Sequence, residues 1–332
     1  IKHVVFGTFF NQRIVDISWP PGLTGVTFGY WFDQDLKGVA WPRTLRQLSL
    51  GGRFNREVTG ASQTWPPGLE AVAFGEAFNR DVTAVRWPRG LKRLLFKWHF
   101  NTSLSEVVLP DGLEELEFRG VFNMPLAVLP AGLRKLTFSS SFNQPIEATA
   151  FPPGLTEIGF GVHFNQPIDS VRWPDKVKRI TFGYEFNQPL SGARLPRDLK
   201  VLTLGHTFSQ SLADVAWPEG LGEICLGWKF NQPLRQAVWP RGLNRLTIAG
   251  DFEGQLDRVV SWPPGLTKMT LDGEFNQPLD TVSWPSTLRE LTFGWRFNQA
   301  LDRVRWPRSL TTLALGGSFD QPVARVVLPT CL

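Results

Sequence analysis

The sequence predicts a β-rich solenoid of about fifteen 22-residue coils, each with one short parallel strand and few or no helices. Three observations carry that expectation. A Phe recurs at 10, 32, 54, 78, 100, 122, 142, 164, 186, 208, 230, 252, 275, 297 and 319, in steps of 22 residues with exceptions of 20, 23 and 24. An apolar residue stands nine positions before each of these Phe, from Ile1 to Leu310. A Pro follows a large apolar residue, most often Trp, in all fifteen copies. Units of this kind contact only their neighbours, so residues 1–332 are expected to form a single repeat solenoid although the length alone would suggest two domains. Ile1 and Leu332 both fall on the first position of a unit, which predicts a stack excerpted or uncapped at both ends.

With the first apolar residue as position 1, positions 1, 4 and 6 are apolar in every copy, from Ile1, Val4 and Phe6 to Leu310, Leu313 and Leu315. Positions 4 and 6 alternate with polar 3 and 5, the period of a strand, so strands are expected around 47–49, 135–137 and 290–292. Position 10 is the Phe, and position 14 is apolar throughout, from Ile14 to Val323. The residue before the late Pro is Trp at 19, 41, 65, 87, 173, 217, 239, 262, 284 and 306, and Leu or Phe elsewhere. It is always large and apolar, so the column that includes Trp217, Trp239, Trp262 and Trp284 is expected to be largely buried and stacked coil on coil. Pro fixes φ and the Gly that often follows allows φ > 0, as in Pro21-Gly22, so each Trp-Pro step reads as a turn feeding the next strand. A second Pro after Asn-Gln, as at 145, 167 and 189, argues against a helix in the arc between Phe and Trp. All length variation falls in that arc, so it is the surface-loop side. The Asn after the Phe, as at Asn143, Asn165, Asn187, Asn231 and Asn276, reads as an internal ladder that satisfies backbone groups of the turning chain.

The motif Phe-Asn-Gln-Pro followed by Ile or Leu, at 164–168 and 186–190, together with Leu-x-x-Leu-x-Phe-Gly, resembles the FNIP repeat family. That family is similar to leucine-rich repeats. The resemblance covers the whole chain, which departs from it in carrying Trp before the Pro. It implies a leucine-rich-repeat-like solenoid used for protein contacts, sometimes joined to an F-box or a kinase, neither of which this sequence contains.

Several function classes find little support. The balance of 35 basic against 30 acidic residues gives a net charge of +5, too mild to point to a specific nucleic acid. Two cysteines, Cys225 and Cys331, make no disulfide framework. No apolar run approaches the ~20 residues of a membrane helix. These features and the lack of a signal-peptide pattern favour an intracellular setting. The four His at 3, 99, 163 and 206 are scattered, Cys225 has no C-x-x-C partner, and no phosphate loop is present, so no enzyme, metal or cofactor is expected.

Two surfaces remain as interaction candidates. Positions 8 and 9, at the strand exit, hold Tyr30, Trp31, Trp98, Tyr184, His206, Trp228 and Trp295, but elsewhere Gly, Glu and Ser. A column that accepts both kinds is exposed or half-exposed, and exposed large aromatics mark interfaces. The end coils would expose Val4, Phe6 and Phe10 on one side and Leu313, Leu315 and Phe319 on the other, where an oligomer could form. Charges alternate at position 3 through Arg93, Glu115, Lys135 and Glu157, which reads as a salt ladder on the strand face. Arginines beside the Trp-Pro turn, including Arg86, Arg172, Arg194, Arg197 and Arg305, form an interrupted basic strip. The expected role is a non-catalytic scaffold or adaptor binding protein partners or a larger assembly. A structural subunit docked in such an assembly is the second class, and a glycan or other extended-ligand module the third.

Overall fold

A computed structural model describes residues 1–59, 65–126, 128–250, 252–254, 256, 262–330 and 332. It comprises two compact units, residues 1–164 and 165–332. The first holds β1 (His3–Val5), β2 (Gly25–Thr27), β3 (Gln47–Ser49), β4 (Ala71–Ala73), β5 (Arg93–Phe96), β6 (Glu115–Phe118), β7 (Lys135–Thr137) and β8 (Glu157–Gly159). The second holds β9 (Arg179–Thr181), β10 (Val201–Thr203), β11 (Glu223–Leu226), β12 (Arg245–Ile248), β13 (Lys268–Leu271), β14 (Glu290–Phe293) and β15 (Thr312–Ala314). Within each unit the strands pair in parallel and in chain order. Register is coil on coil: Val4 faces Val26, and Leu246 faces Met269. The strands fall where period-2 alternation places them, and the described residues contain no α-helix; a 3-10 turn spans Leu234–Gln236.

Each coil turns corners by short i to i+3 hydrogen bonds. The carbonyl of the late Pro accepts the N–H of the next position 1, as Pro20 does from Leu23 and Pro240 from Leu243, both at 3.1 Å. Position 7 accepts from the Phe at position 10, as Gly205 does from Phe208 at 3.0 Å. Position 14 accepts from position 17, as Leu36 does from Val39 at 3.3 Å. Among the described residues, most coils thus combine turns of these kinds with one strand.

Phe and aliphatic side chains fill the interior. Phe32, Phe54, Phe78, Phe100, Phe164, Phe186, Phe208, Phe230 and Phe297 have no exposed surface. Rings of the column stack at 5.9–6.3 Å, as in Phe100–Phe122, Phe32–Phe54 and Phe208–Phe230. Burying one such side chain stabilises by roughly 1.5–3 kcal/mol, so this column is a main source of cohesion between coils.

Position 7 explains the Gly that ends so many strands. At Gly51, Gly75, Gly205, Gly227 and Gly316 an added Cβ would collide with the carbonyl of the glycine one coil earlier. Where position 7 carries a side chain at Arg119, Ala249 and Asp272, the following residue is a Gly with φ of +70°, +77° and +68°. Ser139 solves the same problem differently. It is buried, and its hydroxyl donates to the Phe122 carbonyl at 2.6 Å.

The Trp column is less deeply buried than the Phe column. Trp65, Trp87 and Trp173 are buried at 9 % exposure, but Trp217, Trp239, Trp262 and Trp284 are only half-buried. Stacking joins Trp19 to Trp41 at 5.4 Å, Trp65 to Trp87 at 6.0 Å and Trp284 to Trp306 at 6.3 Å. The indole N–H of Trp217 donates to the Val238 carbonyl, and that of Trp262 to the Ser283 carbonyl at 2.9 Å. These carbonyls belong to the next coil.

Candidate interaction surface

The Asn column is a hydrogen-bonded ladder. Within each unit, side-chain oxygens of this column accept the backbone N–H of the equivalent residue one coil on. Asn55 accepts from Asn79 at 3.0 Å, Asn123 from Asn143 at 2.9 Å, Asn165 from Asn187 at 2.9 Å, Asn231 from Glu253 at 3.1 Å and Asn276 from Asn298 at 2.9 Å. Asp33 serves Asn55 in the same way at 2.9 Å, and Ser209 reaches Asn231 at 3.2 Å. The Gln that follows the ladder residue bonds the coil before it, a contact not expected from the sequence. In Gln34, Gln144, Gln188, Gln210 and Gln299 its amide donates back to both oxygens of the preceding coil's Asn. Arg56 and Arg80 replace that contact with a guanidinium hydrogen bond to the same backbone carbonyl. These groups spend their polarity on the fold rather than on a ligand.

The rim at positions 8 and 9 divides in two. Tyr30, Trp31, Trp98, Tyr184 and Trp295 are 45, 42, 57, 50 and 71 % exposed. His206 and Trp228 are half-buried. Tyr184 stacks on His206 at 4.2 Å, and His206 lies parallel to Trp228 at 5.9 Å. Trp228 in turn lies against Gly250 and Gly273, where any Cβ would meet its indole. The same seat recurs at Tyr30 against Gly52 and at Trp295 against Gly317. A rim aromatic thus leans on a position-8 glycine of the next coil. That pairing was present in the sequence at fixed spacing, but its meaning required knowing that the two residues stack. Trp31 is held differently, with the Arg53 guanidinium 4.6 Å from its ring centre.

The end-coil candidates Val4, Phe6, Phe10, Leu313, Leu315 and Phe319 are all half-buried, whereas their equivalents in internal coils are almost fully buried. Phe6 stacks on Phe10 at 4.2 Å and on Phe28 at 5.0 Å. Phe9, 83 % exposed, was not among the expected contact residues. The strand-face charges form spaced pairs: Lys135–Glu157 at 3.9 Å, Lys268–Glu290 at 2.8 Å and Arg46–Glu70 at 3.5 Å. The hydrogen bond from Lys268 holds the exposed Glu290 carboxyl below its usual range. Cys225 is half-buried on β11, and burial pushes its thiol pKa up, with Glu223 adding to the effect. Cys331 lies outside the described residues. Among the described residues no group of three or more His, Cys, Asp or Glu could hold a metal ion, and no helix is long and apolar enough to cross a membrane.

Comparison with known proteins agrees with this architecture. The FNIP repeat family matches residues 122–163, 164–207 and 259–295. The crystal structure of CroV588, described as a circular LRR protein, superposes with a TM-score of 0.81 at 32 % identity, covering 99 % of this chain and 52 % of that one. The chain therefore spans about half the length of that relative. YopM from Yersinia enterocolitica WA-314 superposes with a TM-score of 0.54 at 18 % identity, over 94 % of this chain and 72 % of that one, a likeness of fold. No curated protein matches the sequence.

Proposed function

We propose that this chain, a leucine-rich-repeat-like parallel β solenoid built of FNIP repeats, is a non-catalytic scaffold or adaptor that binds protein partners along its aromatic rim. Residues 1–332 act as one module, since the 22-residue period runs on from Phe164 to Phe186 without a break. One observation carries the reading: Tyr30, Trp98, Tyr184 and Trp295 stand about half or more exposed on the same edge of their coils. The Phe at position 10 of the internal coils, by contrast, are buried in the core. Exposed Trp and Tyr held by rigid backbone supply contact area at little entropic cost. The glycine seats of Tyr30 and Trp295 fit that use, because they fix the rings from one side and leave the rest of each ring accessible.

The test is comparative capture. The parent chain and variants with Trp98→Asp and Trp295→Asp are used as baits, with thermal unfolding checked first. Both side chains are exposed, so the fold should survive. A partner retained by the parent and lost from both variants supports the rim. If the same partners remain bound to both variants, the rim is not the contact. A glycan array run with the same three proteins separates carbohydrate binding from protein binding.

A further inference from the structure

We infer that Arg172, Arg194 and Arg197 form a binding site for a tetrahedral oxyanion, a phosphate or sulfate group, in a cleft on the turn side of the second unit. The cleft measures about 640 Å³ and is lined by these three arginines together with Ser170, Ser191, Asp169 and Asp175. Arg172 and Arg194 precede the Trp position of successive coils, at Trp173 and Leu195, and are therefore in register. Adjacent coils are ~4.8 Å apart, so two like charges are placed side by side, and an anion between them would relieve their repulsion. The same column elsewhere avoids it. Arg86 is followed one coil on by Val108, and Arg305 has Ser283 before it and Val327 after it.

Nothing in the described structure compensates the pair. None of the three arginines takes part in an ion pair among the described residues. Of the two carboxylates in the cleft, Asp169 accepts the Ser170 backbone N–H at 2.9 Å. Asp175 stands in register with Arg197 and so offsets that charge. The remaining charge of the three arginines and two aspartates is positive, and it sits at Arg172 and Arg194. Guanidinium forks match the geometry of tetrahedral oxyanions and bind them through paired charge-assisted hydrogen bonds. Ser170 and Ser191 add hydroxyl donors to the same cleft. Gly192, at φ +85°, places no side chain over the mouth. The site is distinct from the aromatic rim, and its test does not depend on the rim being a contact.

The experiment follows 31P line broadening of inorganic phosphate titrated against the full chain, with inorganic sulfate as competitor. Saturable broadening is expected for the parent protein. The double variant Arg172→Ala/Arg194→Ala should bind roughly tenfold more weakly or worse, as the loss of charged hydrogen bonds implies. Arg194→Lys, which keeps the charge but loses the fork, should fall between. The control pair Arg86→Ala/Arg305→Ala, in the same column outside the cleft, should bind like the parent. Competition by sulfate identifies a general oxyanion site, and failure to compete narrows the ligand to phosphate. Since both arginines are exposed, thermal unfolding should match the parent in every variant. The inference is overturned if the parent shows no saturable binding, or if the control pair weakens binding as much as the cleft pair does.

Discussion

Replacing Asn187 by Ala tests the ladder that ties one coil to the next. In the parent, the Asn187 side-chain oxygen accepts the Ser209 backbone N–H at 2.9 Å and the Gln210 amide at 3.1 Å. Gln210 also reaches the Asn187 carbonyl at 3.0 Å, so it keeps one partner after the change. The Ser209 N–H does not, and it sits in a partly buried contact. A donor stripped of its acceptor in such a place costs about 1–3 kcal/mol. Taking ~2 kcal/mol, the local opening constant at Ser209 rises about 30-fold. Amide hydrogen exchange at Ser209 reads that directly, while a urea titration reports the change for the unit. Asn187→Asp should keep most of the stability, because Asp33 already fills this role towards Asn55. Asn187→Ser should be intermediate, since the natural Ser209 makes the equivalent bond at 3.2 Å. If Asn187→Ala left Ser209 exchange unchanged, or if Asp and Ala variants behaved alike, the ladder would not be what joins the coils.

The remaining predictions concern other columns. Gly205→Ala should destabilise by roughly 1–3 kcal/mol in thermal unfolding, because its Cβ would strike the Gly183 carbonyl, whereas Gly22→Ala, with open space around it, should cost far less. Trp65→Ala should cost about 3–5 kcal/mol and the half-buried Trp262→Ala distinctly less, as urea midpoints would show. Glu290 should titrate below the usual glutamate value in an NMR pH series, and Lys268→Ala should raise that midpoint; because the folded value is the depressed one, the Lys268–Glu290 contribution is present above the usual glutamate pKa and is lost as pH falls through the folded value. Cys225 should react with iodoacetamide at pH 8 more slowly than a free thiol, and a rate equal to that of free cysteine would contradict its raised pKa.

Features that depend on neighbours at fixed spacing were legible in the residues alone. Apolar positions 1, 4, 6, 10 and 14 can only close a core if the chain repeats its path every 22 residues, so strand positions such as Gln47–Ser49 and Lys135–Thr137 followed directly. The Asn ladder followed too, because a polar group placed in every coil beside a buried Phe must be satisfied within the stack. Tertiary structure decided matters of direction and depth, which residue type leaves open. Trp65 and Trp262 are the same residue at the same position, yet one is buried and the other half-buried. His206 and Trp295 share one column, but His206 is covered by Tyr184 and Trp228 while Trp295 has glycines in both neighbouring coils. The glycines at position 7 stood in the sequence only as the end of the Leu-x-x-Leu-x-Phe-Gly motif; at Gly51, Gly75, Gly205, Gly227 and Gly316 what leaves no room for a side chain is the carbonyl of the coil before, a contact that exists only once two coils are stacked.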